Sequence, residues 1–248
     1  MAVNMNPLSI TLSNWTAGGD GKLRGFDPSG SLGGGLEYDL GNHPTTVLWV
    51  EDGYVGTENG TEAEPYSTLR TALDNTTNGQ GATIIVKDGT INVTSANRTD
   101  WMINDRTGAS GFSAINSGAS WATSHVNRDN MIVIKAQTPY GVRMSYTGSS
   151  AVYYSFVHLQ AAEYVSVDGF IFEYDETAGN ALLNGVAVGN NNYISRCIVK
   201  RAADGQNGSW FSMSAGDAAT EASGDNSLVE MCAGVGATRY GFRCGDSA

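Results

Sequence analysis

Of the chain's 248 residues, 41% are hydrophobic but only 16% are charged, so its surface relies on neutral polar groups more than most soluble domains do. The 32 glycines follow no three-residue period, and Ala, Glu, Lys and Leu are not in bulk, which excludes collagen-like and coiled-coil chains. With 14 basic against 25 acidic residues, a net charge of −11 and no Lys/Arg cluster, nucleic acid is not an expected partner. Nor does any apolar run approach the ~18 residues of a membrane span.

Residues 1–46 read as a polar, Gly-rich leading segment, in which Gly33-Gly34-Gly35 turns into a strand near Leu36–Leu40. Met1 to Leu23 shows no basic stretch followed by an apolar one, so no secretory signal is visible. An extracellular or virion-associated location then requires release by lysis, or a leader outside this sequence.

From residue 47 the pattern becomes regular, and 47–248 reads as one domain. Val47–Val50 predicts a short strand. Leu69, Ala72 and Leu73 form the apolar side of a short helix with Ser67 as its expected N-cap. Ala82–Val93 predicts a buried strand, a turn and a second strand. Residues 95–129 form a long polar insertion in which Trp101, Phe112 and Trp121 argue for packing.

Repeats decide the architecture. Tyr164–Glu173, Asn191–Lys200 and Asn226–Val235 align, so that Val167, Ile194 and Val229 share one slot and Phe170, Cys197 and Cys232 another. Between the slots lies a polar bend: Asp168-Gly169, Ser195-Arg196, Glu230-Met231. A further strand follows in each unit, near Gly185–Val188, Trp210–Met213 and Tyr240–Cys244. Asn130–Ala136 reads as an earlier unit, with Met131, Val133 and Lys135 at alternating places. Units of this kind fit a coil of parallel β-structure in which equivalent residues stack ~4.8 Å apart. Antiparallel sandwiches and propellers instead need regular tight turns. The cysteines (Cys197, Cys232 and Cys244) are odd in number and lack metal-type spacing. Their functional reading is a disulfide or a reactive thiol, while stacking favours the plainer one, Cys197 and Cys232 as interior hydrophobes.

Tyr54-Val55-Gly56, Asn59-Gly60-Thr61, Glu64–Leu69 with Ala72-Leu73, and Thr83–Thr90 resemble the opening segment of right-handed parallel β-helix proteins. That superfamily includes pectate and alginate lyases, chondroitinase B-like enzymes and phage tailspikes. The resemblance covers residues 47–93 and, through the repeats, 130–248. It implies an all-β, single right-handed parallel β-helix with a short N-terminal capping helix. Ala248 follows the strand near Tyr240–Cys244 without a closing rung, so a longer parent chain or a covering partner is expected, a homotrimer among them. The fold hosts enzymes and inert fibres alike.

Lyases of that superfamily cleave acidic polysaccharides by β-elimination: a cation (Ca²⁺ or Arg) neutralises the uronate carboxylate while Lys or Arg removes the C5 proton. Here alternation turns Val199 inward and Lys200 outward, with Glu173 in the matching slot one unit earlier. Lys200, Arg201 and Arg243 are the candidate catalytic residues, and Arg196, Trp210 and Arg239 the candidate substrate contacts. Glu173, Asp175 and Asp204 are candidate Ca²⁺ ligands, because successive loops bring carboxylates together. An exposed Lys200–Glu173 ion pair, worth no more than ~1 kcal/mol, is the plainer alternative for those residues. Two functions remain open: a polysaccharide lyase-like enzyme, and a non-catalytic glycan-binding or structural β-helix of a phage tail or adhesin.

Overall fold

Alternating apolar residues, interrupted by polar bends, fold into short strands whose like positions lie side by side. The computed structural model describes residues 16–17, 23–24, 37–38, 46–76, 81–94, 96–104, 131–146, 155–159, 164–174, 184–189, 192–201, 209–212, 227–236 and 240–243. Contacts divide the chain into two units, Met1–His43 and Pro44–Ala248. In the first, β1 (Thr16–Ala17), β2 (Leu23–Arg24) and β3 (Glu37–Tyr38) form an antiparallel sheet in that order.

The second unit is built from three parallel sheets. The first sheet contains β4 (Val47–Val50), β5 (Ala82–Val86), β8 (Ile132–Ala136), β11 (Val165–Asp168), β14 (Tyr193–Ser195) and β17 (Leu228–Glu230). In the second are β6 (Gly89–Val93), β9 (Val142–Tyr146), β12 (Phe170–Tyr174), β15 (Ile198–Arg201) and β18 (Ala233–Val235). The third holds β7 (Ile103–Asn104), β10 (Val157–Leu159), β13 (Asn184–Val188), β16 (Ser209–Ser212) and β19 (Tyr240–Arg243). From β5 onward the chain visits the sheets in rotation, so each strand pairs with the strand three places along the sequence. This arrangement is all-parallel in the three sheets and compatible with a parallel β-helix.

Register follows the repeat alignment. Val167 pairs with Ile194 and Ile194 with Val229, extending a column that begins at Leu48, Ile84 and Ile134. In the second sheet, Ile91, Met144, Phe172, Val199 and Gly234 form another column. All of these but Gly234 are buried, and Phe172 stacks on Phe170 and Phe156 at centroid distances of 5.6 and 5.2 Å. In β8 the buried set is Ile132, Ile134 and Ala136, one residue off the expected Met131, Val133 and Lys135. Apolar side chains fill both faces there, so alternation alone does not choose between them.

The polar bends stack as well. Gly169, Arg196 and Met231 adopt φ of 84°, 49° and 50°. The amide of Gly169 donates to Ser195 O (3.1 Å), and that of Arg196 to Glu230 O (3.2 Å). Left-handed backbone costs a β-carbon-bearing residue ~1–2 kcal/mol, while glycine gives back part of that gain through its freer unfolded chain. Met231 is 66% exposed, so Met231→Gly sacrifices little packing. Chemical denaturation should show it about 0.5 kcal/mol more stable than the parent, whereas Met231→Val should be less stable.

At the other end of the first sheet, the edge of β4 is covered. Trp49 N donates to Gly60 O (2.8 Å), Tyr66 N to Trp49 O (2.9 Å) and Glu51 N to Tyr66 O (2.9 Å). These bonds occupy groups that would otherwise form an open strand edge. Helix α1 (Leu69–Asp74) packs against β4 and β5 and buries Leu69, Ala72 and Leu73, as expected. Its N-cap is Thr68, whose Oγ1 accepts from Thr71 N at 3.1 Å. The cap therefore falls one residue after Ser67, since either neighbouring hydroxyl satisfies the sequence rule. A one-turn helix, α2 (Arg98–Trp101), lies against α1 and buries Trp101. Among the described residues, no helix is long and apolar enough to cross a membrane.

Candidate functional site

β9, β12 and β15 each turn one face inward, with Met144, Phe172 and Val199 buried. Residues between these point to the opposite face. Ser145, Glu173 and Lys200 are therefore register neighbours on the outer surface of the second sheet, with Arg143, Ile171 and Ile198 in the adjoining row. Strand alternation and parallel pairing are enough to bring these residues together from three separate coils.

Glu173 is the centre of the group. Its Oε1 accepts from Lys200 Nζ at 2.8 Å, and its Oε2 lies 3.3 Å from Arg143 Nη1. The side chains of Arg143, Glu173 and Lys200 are 46%, 23% and 37% exposed, so the carboxylate is the most sheltered member and both cations reach solvent. Two cations from the coils on either side thus converge on one carboxylate. Chemically, these two donors suit a carboxylate, and Arg143 has the planar fork that can bind one through two hydrogen bonds.

Lys200 and Glu173 occupy the expected outward, facing positions. Arg143 was not anticipated. Its signal was present in the sequence: Val142–Tyr146 ends in tyrosine as Phe170–Tyr174 does, and aligning those tyrosines places Arg143 two residues before the position facing Glu173.

The other expected residues are distributed differently. Arg196 sits on the bend between the first and second sheets, where its Nε donates to Asp168 Oδ1 at 2.8 Å and its Nη2 pairs with Asp168 Oδ2. Ser195 Oγ donates to the same Oδ1 at 2.7 Å. The bond to Asp168 pushes the Arg196 guanidinium further toward its protonated form. Arg196 therefore braces the bend. Arg201 ends β15 at the register position of buried Tyr146 and Tyr174, and Arg243 ends β19 in the third sheet, away from the strand of Lys200. Arg239, Asp175 and Asp204 lie outside the described residues.

Trp210 belongs to the interior packing and not to the outer face of the second sheet. It is half-buried against the core, and its indole occupies the space where a Gly234 side chain would stand. Gly241 also leaves it room, since a Cβ there would come within 3.3 Å of Trp210 Cζ3. The indole Nε1 is buried and has no acceptor among the described residues. Gly234→Ala should thus cost about 1–3 kcal/mol through overpacking, read as a lower urea midpoint with an unchanged slope.

Of the expected Ca²⁺ ligands only Glu173 falls among the described residues, and its two oxygens face Lys200 and Arg143. No group of three or more His, Cys, Asp or Glu side chains among the described residues is placed to hold a metal ion. Comparison with protein-family models, curated proteins and solved structures finds no match to this chain.

Proposed function

We propose that the chain is a right-handed parallel β-helix protein that binds an acidic polysaccharide along the outer face of its second sheet and cleaves it there by β-elimination. The strong preference of parallel crossovers for the right hand supports that part of the reading. The observation that carries the functional reading is the convergence of Arg143 and Lys200 on Glu173 across three coils. Each coil advances ~4.8 Å, on the scale of one sugar ring, so a polysaccharide lying along the stack meets a new row of side chains at each residue.

In this reading a uronate carboxylate takes over the contacts of Glu173 with Arg143, which stabilises the negative charge that develops beside it. Lys200, released from Glu173, removes the C5 proton. The electron pair forms the C4–C5 double bond, and the glycosidic oxygen leaves C4 with a proton from water. Arg143 supplies the neutralising charge, so Ca²⁺ is not required by this assignment.

Incubation with alginate, pectate and chondroitin sulfate, each with and without Ca²⁺, tests the proposal through the ultraviolet absorbance of the unsaturated uronate. Product from one of these polymers supports it, and none from any of them overturns the lyase assignment.

The second reading, a non-catalytic glycan-binding or structural module of a phage tail or adhesin, draws on a different feature. Ile171 and Ile198 sit half-buried beside the charged row, giving a face suited to holding a sugar chain without reacting with it. Retention of a glycan in affinity electrophoresis without unsaturated product supports this module, and a trimeric particle size supports its fibre form.

A further inference from the structure

Independently of any glycan, we propose that Cys197 and Cys232 form a redox-active dithiol that closes into a disulfide between two successive coils. The pairing of Ile198 with Ala233 places the residues before them side by side, and Ala233 N donates to Cys197 O at 3.0 Å. Parallel strands run ~4.8 Å apart, inside the Cα separation of about 4.4–6.8 Å that a disulfide spans.

The two sulfurs occupy equivalent seats on consecutive bends. Cys197 Sγ lies 3.2 Å from Ser195 O and 3.8 Å from Val167 O, while Cys232 Sγ lies 3.1 Å from Glu230 O and 3.9 Å from Ile194 O. The seats differ in two respects. Cys197 is fully buried, whereas Cys232 is partly exposed. Cys232 Sγ also accepts the backbone N–H of Cys197 at 3.4 Å, a donor that favours a thiolate. Burial pushes the Cys197 thiol up, and hydrogen bonds from the Cys197 side chain and then its backbone amide draw the Cys232 thiol down. Cys232 is thus the attacking thiol, and Cys197 resolves the intermediate from beneath it.

With oxidised glutathione as the oxidant, the Cys232 thiolate attacks one sulfur of the glutathione disulfide. This forms a mixed disulfide and expels a glutathione thiolate. Cys197 then gives its proton to that thiolate and attacks Cys232 Sγ, expelling the second glutathione, which leaves as a thiol after taking up a proton from water. The protein thiols lose two electrons together, and one glutathione disulfide becomes two thiols. The new bond fastens β18 to β15, the strand that carries Lys200.

The test uses the 248-residue chain with Cys244→Ser, incubated with oxidised glutathione, then alkylated under denaturing conditions and digested with trypsin. The expected product is the peptide Cys197–Lys200 joined to Ala202–Arg239, reversed by a thiol reductant. The oxidised protein should melt roughly 5 °C higher. Iodoacetamide should label Cys232 at least about 10-fold faster than Cys197 in the reduced protein. Cys197→Ala, or Cys197→Ser if the alanine variant folds poorly, should stop at the mixed disulfide on Cys232. Recovery of both cysteines alkylated, a persistent mixed disulfide with Cys197 present, or a link between chains would overturn the proposal.

Discussion

Phe172→Ala is expected to lower the unfolding free energy by about 3–5 kcal/mol, the usual cost of emptying a buried aromatic site. Phe172 has no solvent exposure, and its ring stacks on Phe156 and Phe170. Phe156 in turn lies 4.5 Å, centroid to centroid, from Tyr174, whose hydroxyl accepts the Phe156 amide at 2.9 Å. Removing the central ring therefore loosens contacts between the second and third sheets as well as leaving a cavity. Domains unfold with only about 5–15 kcal/mol, so this variant should show a much lower urea midpoint. The neighbour Ile171 faces the other side of β12 and is half-buried, so Ile171→Ala should cost about 1 kcal/mol. A strand slipped by one residue exchanges the faces and reverses that order.

Lys200→Ala should reduce unsaturated-product formation by about 10²–10⁴-fold, the range over which a positioned base contributes. In the proposed elimination the loss should fall on turnover, because the removed amine is the one assigned to the C5 proton. Arg143→Ala should weaken substrate binding as well as turnover, if its guanidinium is to hold the uronate carboxylate in both the bound and reacting states as proposed. The half-buried Lys200–Glu173 pair contributes about 1 kcal/mol to stability, so both variants should keep the parent's circular dichroism. If Lys200→Ala and the parent make product at the same rate, Lys200 is not the base. Equal glycan binding by the parent and Arg143→Ala would remove Arg143 from the binding face.

The repeat units were legible because a two-residue alternation and a recurrent polar bend constrain the alignment together. That is why Val167, Ile194 and Val229 could be placed in one column from sequence and why Lys200 could be set opposite Glu173. Where both faces of a strand are apolar the same logic gives no direction. Met131 to Ile134 carries four apolar residues in succession, and Trp210 adjoins Phe211. The place of Trp210 depended on glycines 24 and 31 positions further along, Gly234 and Gly241, whose missing side chains have no local signature. Arg143 and Arg196 show a related limit. One gained a partner two strand positions off the direct opposite, and the other turned to Asp168 through a left-handed backbone that residue type alone does not announce.

The crystallographic electron density of the second sheet is the most direct test of the stacked register. Ser145, Glu173 and Lys200 should appear as one outward row at ~4.8 Å intervals, with Met144, Phe172 and Val199 stacked on the inner side. Antiparallel neighbours, or Val199 lying opposite Glu173, would contradict the register and dissolve the Arg143–Glu173–Lys200 group with it.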